Sequence, residues 1–308
     1  MKVVIIGGGG RVGSCAAFAL QCSGIVHEIV LLDINQGAAQ GEALDLLHGS
    51  AFCADQRISA GTYDDCADAD LICITAGLRR KPDESRLDLI GRNVALFLDI
   101  LTTVKAAKPK DYVLIFVVSN PVDILTQLAT EHMELPPSQV LGLGTVLDTS
   151  RFCSLIAAEL HYPATQVRAM ILGEHGDTML PVWSSAAISG FPLTLFPGVT
   201  SEFQERIFAR TQQSGAEIIS RKGGTGYAVG MVIRDVIDSI ALDRRRLMPV
   251  SSLVTGAYGL RDVCVSVPTM VGRKGIISHV ELKLWSNEIE ALEASAKMLK
   301  ETRAAIGN

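Results

Sequence analysis

Aromatic residues make up only 5% of this 308-residue chain. The core must therefore be filled by Val, Ile, Leu and Ala, as in parallel sheets buried on both faces. An excess of basic charge is missing as well. Lys and Arg number 28 against 33 Asp and Glu, giving a formal net charge of −5 and a pI near 5.7. That balance argues against a nucleic-acid partner or an anionic membrane surface. No apolar run approaches the roughly eighteen residues of a membrane-spanning helix. The N-terminus passes from a single Lys2 into a strand pattern, without the layout of a secretion signal. The expectation is a cytoplasmic protein that stays off membranes. Paired cysteines are also lacking. Cys15, Cys22, Cys53, Cys66, Cys73, Cys153 and Cys264 show no C-x-x-C spacing, and their number, seven, is odd. They read as small buried fillers rather than metal ligands or disulfides, and no metal site is expected. Internal repeats and low-complexity segments are absent too.

What is present is alternation. Strand patterns at Val3–Ile6, Ile29–Leu32, Arg57–Ser59, Leu71–Thr75 and Tyr112–Val118 are interleaved with helical ones at Val12–Cys22, Ala38–Leu47 and Leu87–Ala107. A further helix follows Pro121, which falls in its first turn. Such βαβ units predict a doubly wound parallel sheet. The second half has a different pattern: helix Thr149–Leu160, strand Val167–Leu172, and a long helical stretch from 201 to 240 broken at Gly223-Gly224. A strand pair, Val250–Val254 and Val263–Val267, and a last helix, Asn287–Arg303, complete it. This predicts an α+β unit, with the boundary near residue 142. The run Arg244-Arg245-Arg246 follows a helical stretch and reads as a solvated helix end.

Gly8-Gly9-Gly10-Arg11-Val12-Gly13 joins the first strand to the first helix as a G-x-G-x-x-G. Gly8 would allow a tight turn, Gly10 close approach of backbone to a pyrophosphate, and Gly13 close helix packing; the helix N-terminus supplies N–H groups to phosphate. Asp33 ends the second strand, 20 residues after Gly13. A carboxylate there accepts ribose hydroxyls and repels a 2′-phosphate, so NAD is expected over NADP.

Three further segments carry chemistry. Gly173-Glu174-His175-Gly176-Asp177 follows a strand and places an accessible histidine on a tight turn, where it can exchange a proton near neutral pH. In Leu147-Asp148-Thr149-Ser150-Arg151-Phe152, Asp148 opens a helix and Arg151 lies one turn on, so a carboxylate for the imidazole and a fork for a substrate carboxylate share one face. An N-cap aspartate with an ordinary helical arginine gives the same spelling. Ser119-Asn120-Pro121 ends another strand, so Asn120 can reach the same crevice. Finally, Ala76 to Arg86 holds Arg79, Arg80 and Arg86 at a strand exit, either as a solvated basic loop or as one that closes over a small acid.

These motifs resemble, end to end, the NAD-dependent L-lactate and malate dehydrogenases. Lys222-Gly223-Gly224-Thr225, Met248-Pro249-Val250-Ser251-Ser252, Ser266-Val267-Pro268 and Ser119-Asn120-Pro121-Val122-Asp123 match that family too. The resemblance implies a Rossmann-type NAD-binding domain over 1–142 and an α+β catalytic domain over 143–308. It implies His175 as acid and base, oriented by Asp148, with Arg151 on the substrate carboxylate and Arg86 polarising the carbonyl. Asn120 would bond the reacting oxygen, Arg80 the substrate side chain, and Thr225 would line the same pocket. The cofactor would meet Gly8, Gly10, Arg11, Val12, Gly13, Asp33, Thr75, Ala76, Gly77, Asn93, Val118 and Asn120. A homotetramer or homodimer is implied.

The substrate hangs on conflicting signals. In this family, arginine at the position of Arg80 accompanies malate and oxaloacetate, because a second carboxylate in a closed site needs a counter-charge. Glu174, Thr225 and the Leu147–Phe152 wording resemble the lactate enzymes instead, and Arg79 could exchange places with Arg80. The expectation is a malate dehydrogenase of the tricarboxylic acid cycle. L-lactate dehydrogenase and a broad 2-keto acid reductase are the alternatives, and a non-catalytic dinucleotide sensor would be expected to have lost His175 or Arg151. Sugar-bisphosphate activation, found in bacterial lactate relatives, uses an arginine two residues past Arg151, where this chain has Cys153.

Overall fold

The computed structural model describes residues 1–78 and 86–306, with backbone alone at 86 and 87. Arg79 and Arg80 lie outside the described residues. In the first half, β1 (Lys2–Ile6), α1 (Arg11–Ser23), β2 (Glu28–Leu32), α2 (Gln36–His48), β3 (Arg57–Ala60), β4 (Leu71–Ile74), α3 (Arg86–Ala106), β5 (Leu114–Val117), α4 (Val122–His132) and β6 (Val140–Gly142) alternate as the pattern predicts. Every residue of β1, β4 and β5 is buried, which explains their unbroken apolar spelling. Helices on both faces cover these strands. The parallel order β3-β2-β1-β4-β5-β6 reverses direction between β1 and β4. Such a switch opens a crevice beyond the carboxyl ends of the strands, where a ligand can enter.

The second half comprises α5 (Val146–Leu160), β7 (Val167–Leu172), β8 (Leu180–Ile188), β9 (Phe191–Pro192), α6 (Ser201–Lys222), α7 (Tyr227–Ala241), β10 (Arg246–Met248), β11 (Ser251–Thr255), β12 (Arg261–Ser266), β13 (Thr269–Gly272), β14 (Gly275–His279) and α8 (Ser286–Ile306). Two small antiparallel sheets, β7-β8-β9 and β10-β13-β14, form here. The hairpin β11–β12 does not join them. It extends the first sheet, with Ser251 paired to Gly142, so the large sheet has eight strands. An unpaired β6 would expose a row of peptide groups, and β11 covers that edge.

Phe152 on α5 meets Trp183 on β8 edge-on, with ring centroids 4.7 Å apart, in a second core separate from the main one. The cysteines depart from the expectation of buried fillers. All seven are free thiols, but only Cys66, Cys73 and Cys264 are buried; Cys22 is exposed, on the last turn of α1. Two local details also differ. Pro121 is the cap before α4 rather than part of its first turn, and α5 begins at Val146, which puts Asp148 inside its first turn. A carboxylate there is favoured by the helix dipole without capping the helix.

Candidate active site

The dinucleotide loop is shaped by contact. Gly7, one residue before the spelled motif, adopts φ +90°, so the left-handed turn falls there and not at Gly8. At Gly13 a Cβ would stand 2.3 Å from the Gly7 carbonyl oxygen, so no larger residue lets α1 lie this close to the loop. Gly10 precedes α1 with no side-chain cap, which leaves the helix N–H groups for an anion. Asp33 closes the loop from β2: one carboxylate oxygen accepts the Gly9 N–H at 3.1 Å, the other the Asn35 N–H at 2.9 Å. The cradle of glycines, the open helix end and the acidic residue fit a dinucleotide without a 2′-phosphate.

Arg11 turns away from this loop. Its Nη1 donates to the carbonyls of Lys222 (2.8 Å) and Gly224 (3.0 Å), where α6 ends at the left-handed Gly223. The start of α1 is thus tied to the turn that carries Thr225. Asn93, on α3, commits its amide to the stem of the 79–85 segment: Oδ1 accepts the Leu78 N–H at 2.8 Å and Nδ2 donates to Leu89 at 3.1 Å. Thr75 donates from Oγ1 to Ile6, and Ala76 accepts from Ser119.

One cleft of about 630 Å³ runs from the cofactor loop to the second half. Val12, Thr75, Gly77, Asn93, Val118 and Asn120 line it from one side. Asp148, Arg151, His175 and Thr225 line it from the other. Gly8, Gly10, Gly13 and Asp33 lie outside this lining. The described part of Arg86 is its backbone, the first residue of α3. The helix wall formed by Gln212, Ala216 and Ile219 also lines the cleft and was not anticipated. Its signal was available in the spacing, which sets all three on one face of α6.

At the centre, His175 Nδ1 meets Asp148 Oδ2 at 2.5 Å, and Arg151 Nη1 donates to Asp148 Oδ1 at 3.0 Å. Asp148 is only 1% exposed. Burial alone would raise its pKa, but His175 and Arg151 hold the carboxyl below its usual range. For His175 burial works downward, and the charge and hydrogen bond of Asp148 outweigh it, so the imidazole is held above its ordinary value. With Nδ1 engaged, Nε2 is the nitrogen left for a substrate. Arg151 gives only Nη1 to Asp148, so its fork is only partly used and its other edge can receive a carboxylate.

These features coincide with known proteins. The model for the lactate/malate dehydrogenase NAD binding domain matches residues 1–142, and that for the lactate/malate dehydrogenase alpha/beta C-terminal domain matches 145–306. The chain belongs to the lactate/malate dehydrogenase family. L-lactate dehydrogenase of Thermoanaerobacter sp. (strain X514) is 40% identical over 305 residues, 97% of either chain. That of Geobacillus thermodenitrificans is 42% identical over 302 residues, covering 96% of this chain and 95% of its own. Among solved structures, the minor L-lactate dehydrogenase from Enterococcus mundtii in ligands-bound form superposes with a TM-score of 0.95 at 36% identity, covering 99% of this chain and 98% of its own. As a member of the lactate/malate dehydrogenase family the protein is an NAD-dependent oxidoreductase of small 2-hydroxy and 2-keto acids.

The expectation of malate is overturned. Full-length relatives at 40–42% identity are L-lactate dehydrogenases, and so are the structural neighbours. That expectation rested on Arg80, a single loop residue. Among the described residues, Arg151 is the one guanidinium lining the cleft. The tricarboxylic acid cycle assignment falls with malate. A second cleft of about 620 Å³, beyond α5, contains Cys153, Arg168 and Arg246. Arg168 donates to the carbonyls of Thr165 and Val167, and Arg246 pairs with Asp235. Arg234 lines the same cleft.

Proposed function

We propose that the protein is an NAD-dependent L-lactate dehydrogenase that interconverts pyruvate and L-lactate. The His175–Asp148–Arg151 constellation at the wall of the cleft supports the acid–base chemistry; the observation that carries the choice of lactate is the L-lactate dehydrogenase names of its full-length relatives. Arg151 receives the pyruvate carboxylate through its free guanidinium edge, which orients the ketone toward His175. In reduction His175 donates its Nε2 proton to the carbonyl oxygen, and Asp148 balances the charge of the imidazolium until then. In oxidation neutral His175 takes the hydroxyl proton. Asn120 and Thr225 flank the substrate, and Arg86 polarises the carbonyl by analogy with the family. When bound, NAD supplies or accepts the hydride. Gly8, Gly10, Gly13 and the N–H groups of Arg11 and Val12 would hold its pyrophosphate, and Asp33 a ribose. Thr75, Ala76, Gly77, Asn93 and Val118 would flank its nicotinamide half.

Within this reading residues 1–142 hold the cofactor and 143–308 supply the acid–base and carboxylate-binding groups. Assembly as a homotetramer or homodimer is supported by the exposed Phe18, Phe52, Tyr227 and Met231, and the free thiols suit a reducing cytoplasm. The deciding experiment compares kcat/KM for pyruvate and oxaloacetate with NADH and with NADPH. Pyruvate with NADH is expected to lead by at least about tenfold. A lead for oxaloacetate, or for NADPH, overturns the reading.

A further inference from the structure

Cysteine spacing in the sequence suggests no pairs, yet the fold brings two of the thiols together. Cys22 is exposed on the last turn of α1, and Cys53 follows the short turn Ser50–Phe52 just beyond α2. The segment after Cys53 is pinned across the end of α1. Gln56 Nε2 donates to the carbonyl of Val26 at 2.7 Å and to that of Leu20 at 3.3 Å, on either side of Cys22. Gly24, the left-handed cap of α1, lies against Ala54: a Cβ added to it would stand 2.8 Å from the Ala54 Cβ. These ties hold the Cys53 thiol within hydrogen-bonding reach of the Cys22 thiol.

The other thiols have different surroundings. Cys66, Cys73 and Cys264 are buried. Cys15 faces Lys222, Glu42 and Arg11, and Cys153 faces the Ala169 carbonyl and Arg168. Burial and Cys53 keep the Cys22 thiol above its ordinary value, so in a reducing setting the pair rests as two thiols. Cys22 thus combines exposure to an oxidant with a second sulfur near enough to capture the product. Metal binding is the other use of paired thiols. Among the described residues, however, no group of three His, Cys, Asp or Glu side chains is placed to hold an ion.

We propose that Cys22 and Cys53 form a peroxide-oxidisable dithiol site that captures oxidised Cys22 as a reversible disulfide. The Cys22 sulfur attacks one oxygen of hydrogen peroxide and the O–O bond breaks. A sulfenic acid forms, and the other oxygen leaves as water with the thiol proton. The Cys53 sulfur then attacks Cys22, the S–O bond breaks, and the hydroxyl departs as a second water with the Cys53 proton. The two thiols together lose two electrons, and the peroxide gains them. Without Cys53 the sulfenic acid meets further peroxide and ends as sulfinic acid, which thiols do not reverse. None of the residues lining the catalytic cleft falls between 22 and 53, so the proposal stands independently of the lactate reading.

The test treats the full-length protein with hydrogen peroxide, alkylates the remaining thiols and maps the peptides by mass spectrometry. The protein is used in whatever assembly it is isolated in, because Phe18, one turn before Cys22, and Phe52, next to Cys53, are exposed apolar groups. The expected product is a peptide pair joined through Cys22 and Cys53, formed within one chain and returned to two thiols by dithiothreitol. Cys53→Ser is treated alongside. Its Cys22 should end as sulfinic acid, so the Cys22 thiol recovered by dithiothreitol should fall at least about fivefold below that of the parent. Equal recovery in parent and variant overturns the proposal. So does a Cys22 link between chains on a non-reducing gel, or a parent Cys22 that stays a thiol while other cysteines oxidise. Should Cys53→Ser not fold, Cys22→Ser decides: Cys53 must then stay a thiol at the peroxide dose that links the parent, and its oxidation to the same extent overturns the proposal.

Discussion

His175 works at a pH that its neighbours choose. Because the Asp148 carboxylate holds its pKa above the ordinary 6.5, the proton that the proposed reduction needs stays on the ring to higher pH than on a free imidazole. The rate of pyruvate reduction should fall as pH rises through that raised value, and lactate oxidation, which needs the neutral ring, should rise over the same interval. Initial rates in both directions at constant ionic strength give the two limbs. The pair also links pH to stability. A raised histidine contributes stability that is complete below its usual pKa and lost as pH rises through the folded one; the lowered Asp148 loses its share as pH falls through its own value. Replacing His175 by Asn should leave NADH binding intact and reduce turnover by roughly 10²-fold or more. Turnover within threefold of the parent would exclude His175 as the proton donor. His175, Asp148 and Arg151 were legible in the sequence because their partners lie in short segments with a strand-end or helical spacing. The contact of Asp123 with the His175 main chain was not, since it spans 52 residues, which no local pattern encodes.

At the scale of elements, β1, the glycine loop and α1 form one device, and Asp33 at the end of β2 holds it shut through Gly9. Asp33→Ser keeps a short polar acceptor but removes the charge. NADPH use should improve relative to NADH, read as the ratio of kcat/KM values for the two cofactors. An unchanged ratio would mean that cofactor choice lies elsewhere in the loop. Strands β1, β2, β4 and β5 were readable because burial on both faces spells them as continuous apolar runs. β8, with its interrupted burial, and the short β6, β10, β13 and β14 carry no such signal. Their pairing partners, not their own residues, make them strands. The hairpin β11–β12 was visible as a pair, but its attachment to β6 depends on Ser251 facing Gly142 across more than a hundred residues. Arg11 illustrates the same limit. The motif places its backbone, while its guanidinium answers to the end of α6.

At the scale of the whole molecule, the substrate assignment depended on which observation carried more weight. One arginine in a loop pointed to a dicarboxylate, whereas likeness over nearly the entire chain pointed to lactate. Specificity is a difference in binding spread over all the groups that meet the substrate, so a single loop residue is a weak vote. NADH itself should report on the global fold. Binding to the native state alone stabilises it by about 2.7 kcal/mol at a free concentration of about one hundred times Kd, so the melting temperature should climb with NADH, and a flat response would place the cofactor elsewhere. The eight-stranded sheet has a consequence for anyone who would excise the nucleotide-binding half. β11 and β12 come from the far end of the chain and are the last boards of the first half's own floor. A polypeptide stopped at residue 142 ends on a bare β6, with open peptide groups and an uncovered apolar flank. It should come out of cells clumped, and supplying residues 143–308 as a separate chain should rescue it into solution. The nucleotide half is a borrower rather than a free-standing module.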